Sequence, residues 1–193
     1  MTSFRSCHFI FTKASQIQWG EFRAKRAMLQ FPDIILAGVS VSTSAIDEWR
    51  RNDFLISTDK EKLDIQAVHR YLTRSKWAKG IDLQTVTVSV ANSLNFGVYH
   101  HETQIGFARL VTDHATFAYL CDVYVLEEHQ GEGLGRWLME CVHCHPVVEK
   151  LRTIVLFTTT APWLYEKFGY QPVNQQNYTW SIRRPDIYTK NPT

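Results

Sequence analysis

The stretch from Asp122 to Met139, DVYVLEEHQGEGLGRWLM, decides how this chain reads. It begins with Val123 and Val125 in alternation, the pattern of a strand. It ends in Leu134, Trp137 and Leu138, continued by Cys141 and Val142, which line one face of a helix. Between the two lie Gln130, Gly131, Gly133, Gly135 and Arg136. A helix N-terminus presents free backbone N–H groups and the positive end of a dipole. Glycines there admit positive φ and let an anion approach the backbone closely. The segment therefore reads as a phosphate or pyrophosphate cradle. It lacks the Gly-Lys-Ser/Thr ending of a nucleoside-triphosphate loop. Arg136 also occupies the place of the third glycine in the dinucleotide pattern.

Working outward, Thr153–Phe157 reads as a buried strand, Ala161–Phe168 as a short helix closed by Gly169, and Tyr178–Ile182 as a last strand. On the N-terminal side, Thr116–Leu126 is a long strand. It follows Phe96–His100 and Gln104–Val111, which are joined by a hairpin turn at residues 100–103. Earlier still, Phe54–Ser57 is a short strand, and Ser57–Asp59 supplies caps for a helix carrying Leu63, Ile65, Ala67, Val68 and Leu72. A second helix runs from Asp82 to about Asn92, with strand as its competitor because of the β-branched run Val86–Val90. The element order is α+β, a mixed and mostly antiparallel central sheet flanked by helices. The unit after the long strand runs parallel.

The boundary is expected at residue 53. Residues 1–52 carry seven Lys/Arg against four Asp/Glu, and residues 53–193 carry 14 against 15. The first segment reads as an N-terminal extension with one helix, Trp19–Gln30, stopped by Pro32. Residues 53–184 form the domain, and residues 185–193 a tail. The whole chain has 193 residues, 45% apolar and 21% charged, with a net charge of +2. That composition builds a core, and its charge balance gives no footprint for general nucleic-acid binding. No stretch approaches the roughly 18 apolar residues of a membrane span. The run Phe9–Phe11 is too short for a signal peptide. Cys7, Cys121, Cys141 and Cys144 read as reduced thiols of a cytoplasmic protein.

The spacing Gln130-x-x-Gly133-x-Gly135 after Val123-x-Val125 resembles the acetyl-coenzyme A motif of the GNAT acetyltransferase superfamily. Leu164, Tyr165, Gly169 and Tyr170 resemble that family's late helix and turn. The resemblance implies an acyltransferase of the EC 2.3.1 class with acetyl-CoA as cosubstrate. It would move acetyl to an amine of a small molecule or peptide by direct attack in a ternary complex. Position by position, it implies that Val123 and Val125 pair with the pantetheine arm through their backbone. Residues Gln130, Gly131, Gly133, Leu134, Gly135 and Arg136 form the pyrophosphate loop, and Tyr165 protonates the departing thiolate. Trp77 falls where the family borders its acceptor pocket. Tyr119 stands where some members carry a glutamate base, and Asp122 resembles an acidic residue of some small-molecule members. Strand alternation puts Asp122 and Tyr119 on opposite faces unless a bulge intervenes. The alternative is a non-catalytic acyl-CoA-binding or regulatory module of the same fold.

No metal is expected. Cys141, His143, Cys144 and His145 lie within one helical stretch, from which four ligands cannot converge tetrahedrally. His100 and His101 read as solvated turn residues, and His129 as an exposed loop residue. No motif names the acceptor or the oligomeric state.

Overall fold

A computed structural model of the protein describes residues 46–182, 184 and 186–189. These belong to one compact unit. The expected helix Trp19–Gln30 lies outside the described residues.

A six-stranded sheet runs in the order β1-β2-β3-β4-β5-β6. Its strands are β1 (Glu48–Arg51), β2 (Phe54–Ser57), β3 (Leu94–His100), β4 (Thr103–Thr112), β5 (Phe117–Val125) and β6 (Thr153–Val155). The first five pair antiparallel with their neighbours, and β5 pairs parallel with β6. Helices α1 (Ile65–Leu72) and α2 (Leu83–Ala91) lie between β2 and β3; α3 (Leu134–His143) joins β5 to β6, and α4 (Pro162–Glu166) follows β6. The α+β reading and its mixed sheet hold.

The core divides by side-chain alternation. Phe96, Val98, Ala108, Leu110, Ala118 and Leu120 pack with Leu134, Leu138 and Val142 of α3. Phe107 and Tyr124 pack instead with Val68 and Leu72 of α1 and Val86 and Val90 of α2. The β-branched run of α2 is helical because Val86 and Val90, four apart, share the buried face. Asp82 caps that helix, accepting the N–H of Thr85 at 2.8 Å.

Four details differ from the sequence reading. The strand expected as buried over Thr153–Phe157 is only Thr153–Val155, exposed to half-buried, and Phe157 beyond it is 64% exposed. The cap of α1 is Asp64, which accepts the Ala67 N–H at 2.9 Å, while Asp59 caps only a short 3-10 turn. The sheet begins at β1, N-terminal of residue 53, because Asn52 (φ 52°) turns the chain so that Glu48–Arg51 pairs with β2. The expected strand Tyr178–Ile182 is irregular: Trp180 and Ile182 are each 84% exposed. Among the described residues this run has no partner strand, and a β-prone segment without one gains little from extension. Past it, the Tyr188 carbonyl would lie 3.0 Å from a Cβ on Gly80 (φ 79°), so a residue described as tail meets the α1–α2 connection.

Candidate active site

The cradle forms where β5 gives way to α3. Gly131 (φ 88°) and Gly133 (φ 76°) both adopt left-handed backbone, which the absence of a Cβ permits. Gly133 is the N-cap of α3, and the first intrahelical bond is the Trp137 N–H to its carbonyl, at 3.0 Å. The N–H groups of Leu134, Gly135 and Arg136 precede that bond and have no helical acceptor. A Cβ added at Gly131, Gly133 or Gly135 would meet nothing within 4 Å, so the space over the loop is open. Open space, unpaired donors and a helix dipole together suit an anion.

The loop is held from three sides. Gln130 donates from Nε2 to the Val125 carbonyl at 3.1 Å, tying the turn to the end of β5. Leu134 is 1% exposed and anchors the helix in the core, leaving only its backbone at the cradle. Arg51 of β1 donates to the Glu132 carbonyl at 3.2 Å, with its guanidinium 4.9 Å from the Trp137 ring centroid. Arg51 lies before the expected domain boundary and was not a candidate. Arg136 is exposed and paired with Glu140 at 2.9 Å, so its cation stands on the solvent side of the first turn.

Strand β5 carries the second feature. It pairs with β6 only from Phe117↔Thr153 to Tyr119↔Val155 and then runs on to Val125. Among the described residues no strand covers that edge beyond Tyr119. On its other side the register with β4 slips: Phe107 faces Tyr124, but Arg109 faces Cys121. Asp122 is at this bulge, with φ 54°. The bulge resets the alternation. Val123 and Val125 pack on the α3 side, and Tyr124 on the α1–α2 side. The exception noted for Asp122 and Tyr119 is therefore the case, and both belong to the face bearing α1 and α2.

On that face Asp122 is fully engaged. Arg109 donates from Nε at 2.8 Å and from Nη2 at 2.7 Å to Oδ2, while Trp77 donates from Nε1 to Oδ1 at 3.1 Å. The side chains of Arg109 and Asp122 are only 15% and 8% exposed. Burial by itself works to lower the Arg109 pKa, yet the facing Asp122 carboxylate holds it above its ordinary value. Arg109 Nη1 continues the network to Ser93 Oγ at 3.1 Å. Trp77 thus joins Asp122, while Tyr119 stands 5.5 Å from the Phe157 ring. Sequence reasoning missed Arg109. Its signal was a cation between Ala108 and Leu110, inside a strand whose neighbours are buried.

Tyr165 of α4 packs, half-buried, against the same core as Val123 and Val125, with its ring edge-on to Tyr170 at 5.9 Å. Burial raises its pKa, so the phenol stays protonated at neutral pH. Cys121 and Cys141 are free thiols, both pushed by burial up to about 12, which keeps them from acting as nucleophiles.

Comparison with known proteins bears on this geometry. A family model described as an acetyltransferase (GNAT) domain matches residues 92–172. The "Putative acetyltransferase FG08082" of Gibberella zeae is 31% identical over 140 residues, 62% of this chain and 79% of that protein. The GNAT-family structure xcc2953 of Xanthomonas campestris pv. campestris is 39% identical with a TM-score of 0.69. The match covers 70% of this chain and 96% of that one. A "predicted acetyltransferase" of Clostridium acetobutylicum, solved with acetyl-CoA, shares the fold at 13% identity and a TM-score of 0.51. It covers 67% of this chain and 94% of its own.

Proposed function

Because this chain belongs to the GNAT acetyltransferase family, we propose that it transfers acetyl from acetyl-CoA to an amine of a small molecule or peptide, by direct attack in a ternary complex. The observation that carries this reading is the cradle. Two left-handed glycines and the unpaired N–H groups of α3 open onto empty space at the end of a strand whose edge beyond Tyr119 is covered by no strand among the described residues. The Clostridium acetobutylicum protein of the same fold was solved with acetyl-CoA, which supports the same ligand here.

In this account the N–H groups of residues 131–136 bind the pyrophosphate, and Arg136 adds charge from the solvent side. The uncovered edge of β5 around Val123 and Val125 pairs with the pantetheine amides as an added strand would. Amine nitrogen attacks the thioester carbon, the C–N bond forms, and the C–S bond breaks. A backbone N–H of the bulged strand stabilises the oxyanion. Tyr165 gives its proton to the thiolate, and the amine loses one to solvent. Asp122 does not take that proton, because both its oxygens are already occupied; it fixes Trp77 and the bulge. The chemistry needs no metal. A reducing, cytoplasmic setting fits the free cysteines.

One observation favours a second reading, a non-catalytic acyl-CoA-binding module: the buried carboxylate on the acceptor face is committed to Arg109. Tyr165→Phe separates the two. Removing the general acid lowers kcat about 10²–10⁴-fold with coenzyme A affinity nearly unchanged. Steady-state thiol release paired with calorimetry measures both. A variant within twofold of the parent, with chemistry rate-limiting, would return Tyr165 to a packing role. Turnover by neither protein on any amine favours the binding module.

A further inference from the structure

Away from the cradle and the acceptor face, the two hairpin turns of β1–β2 and β3–β4 bring three potential metal ligands together. Asp53, His100 and His101 each offer one ligand atom, and these atoms lie within 4.8 Å of one another. The arrangement follows from the backbone. Phe54 pairs with His100 across β2 and β3, and the His101 N–H donates to the Asp53 carbonyl at 3.1 Å. His101 takes φ 53°, a conformation that costs a residue with a Cβ. That turn swings its ring onto His100, 4.4 Å between centroids and 27° from parallel. Phe54 stacks on His100 from its own strand at 4.8 Å and restrains that ring. Two imidazoles from consecutive residues thus stand beside one carboxylate on rigid strand ends.

We infer that Asp53, His100 and His101 form a site for a divalent transition-metal ion of the zinc type. Two nitrogens and one carboxylate oxygen suit zinc, copper or nickel, whereas calcium and magnesium demand more oxygen ligands. Tetrahedral ligands about 2.1 Å from zinc lie roughly 3.4 Å apart. Closing the trio needs only small rotations of side chains that are exposed or half-buried. Water completes the shell. His129, edge-on to His100 at 5.4 Å, is not counted as a ligand because it does not share the 4.8 Å grouping of ligand atoms that the other three form. The site is independent of the transfer chemistry, and its test uses no turnover.

The experiment is calorimetric titration of Zn²⁺ into the full chain after chelator treatment, repeated with Co²⁺ followed by absorption spectroscopy. One equivalent of Zn²⁺ is expected to bind saturably, and millimolar Mg²⁺ to give no heat. Asp53→Asn and His101→Asn should each weaken Zn²⁺ by about tenfold or more. Both keep the fold, because asparagine is isosteric with Asp53 and tolerates the left-handed turn at position 101. Circular dichroism and coenzyme A binding confirm that they do. The Co²⁺ complex should show d–d bands without a thiolate charge-transfer band. No saturable binding, unchanged affinity in both variants, or a thiolate band tracing the ion to the cysteines would each overturn the proposal.

Discussion

Replacing Arg109 by methionine keeps most of the side chain's volume and removes its charge. The consequence can be worked out from the pair it forms. Asp122 would keep one donor, Trp77 Nε1, while its other oxygen, which takes two guanidinium bonds at 2.8 and 2.7 Å, would lose both. With the carboxylate 8% exposed, water cannot substitute fully. Breaking a buried pair from one side costs about 3–5 kcal/mol. Asp122→Asn makes the reciprocal perturbation. It tolerates the left-handed backbone of the bulge and can keep the Trp77 bond, yet leaves Arg109 uncompensated. The double variant buries no charge, so it should lose less stability than the sum of the two single losses. A coupling of roughly 2–3 kcal/mol is expected, at the upper end for contacting pairs. Urea denaturation of the four proteins at pH 7 measures it, with unchanged m-values confirming comparable transitions. The coupling should survive 0.5 M salt, since screening acts weakly on buried pairs. Single variants within about 0.5 kcal/mol of the parent, or additive effects, would refute the reasoning.

Further predictions concern the cradle and two histidines, one half-buried and one buried. Gly133→Val forces a β-branched residue into left-handed backbone, costing at least about 1–2 kcal/mol, and should abolish coenzyme A binding by calorimetry. Gly135→Ala carries no such strain and should hold or raise stability by up to about 1 kcal/mol while weakening coenzyme A, with pantetheine affinity little changed. Burial lowers the pKa of both His143 and His145, outweighing Asp47 in the latter case. Their neutral forms are therefore favoured by folding. The contribution of each to stability is full above about pH 6.5, the unfolded-state value, and is lost as the pH drops below it. Melting temperatures from pH 7.5 to 5 test this, and His143→Phe, which keeps the stack on Phe168, should flatten the profile.

What the sequence made legible is what local chemistry dictates. The cradle followed from glycines at a strand-to-helix junction. The meander followed from alternation, whereas α2 reads against a competing strand, and the Asp82 cap with Val86 and Val90 on one buried face decides for the helix. What escaped it depends on distant partners. The bulge at Asp122 is a register slip against β4, and Asp122 alone does not announce left-handed backbone. Arg109 pairs with Asp122 from a neighbouring strand. Arg51 reaches the Glu132 carbonyl from β1, 81 residues away. Tyr178–Ile182 has the composition of a strand, but strand propensity needs a sheet edge and a surface to cover. The metal-site reading of His100 and His101 needed Asp53, which only the pairing of two hairpins supplies.

The central claim is acetyl transfer to an amine. Its most direct test is free-thiol release from acetyl-CoA across a panel of amines and peptides. The expected release depends on the acceptor, exceeds the rate without acceptor, and falls about 10²–10⁴-fold in Tyr165→Phe. Tight acetyl-CoA binding with no acceptor-dependent thiol release across the panel would contradict it.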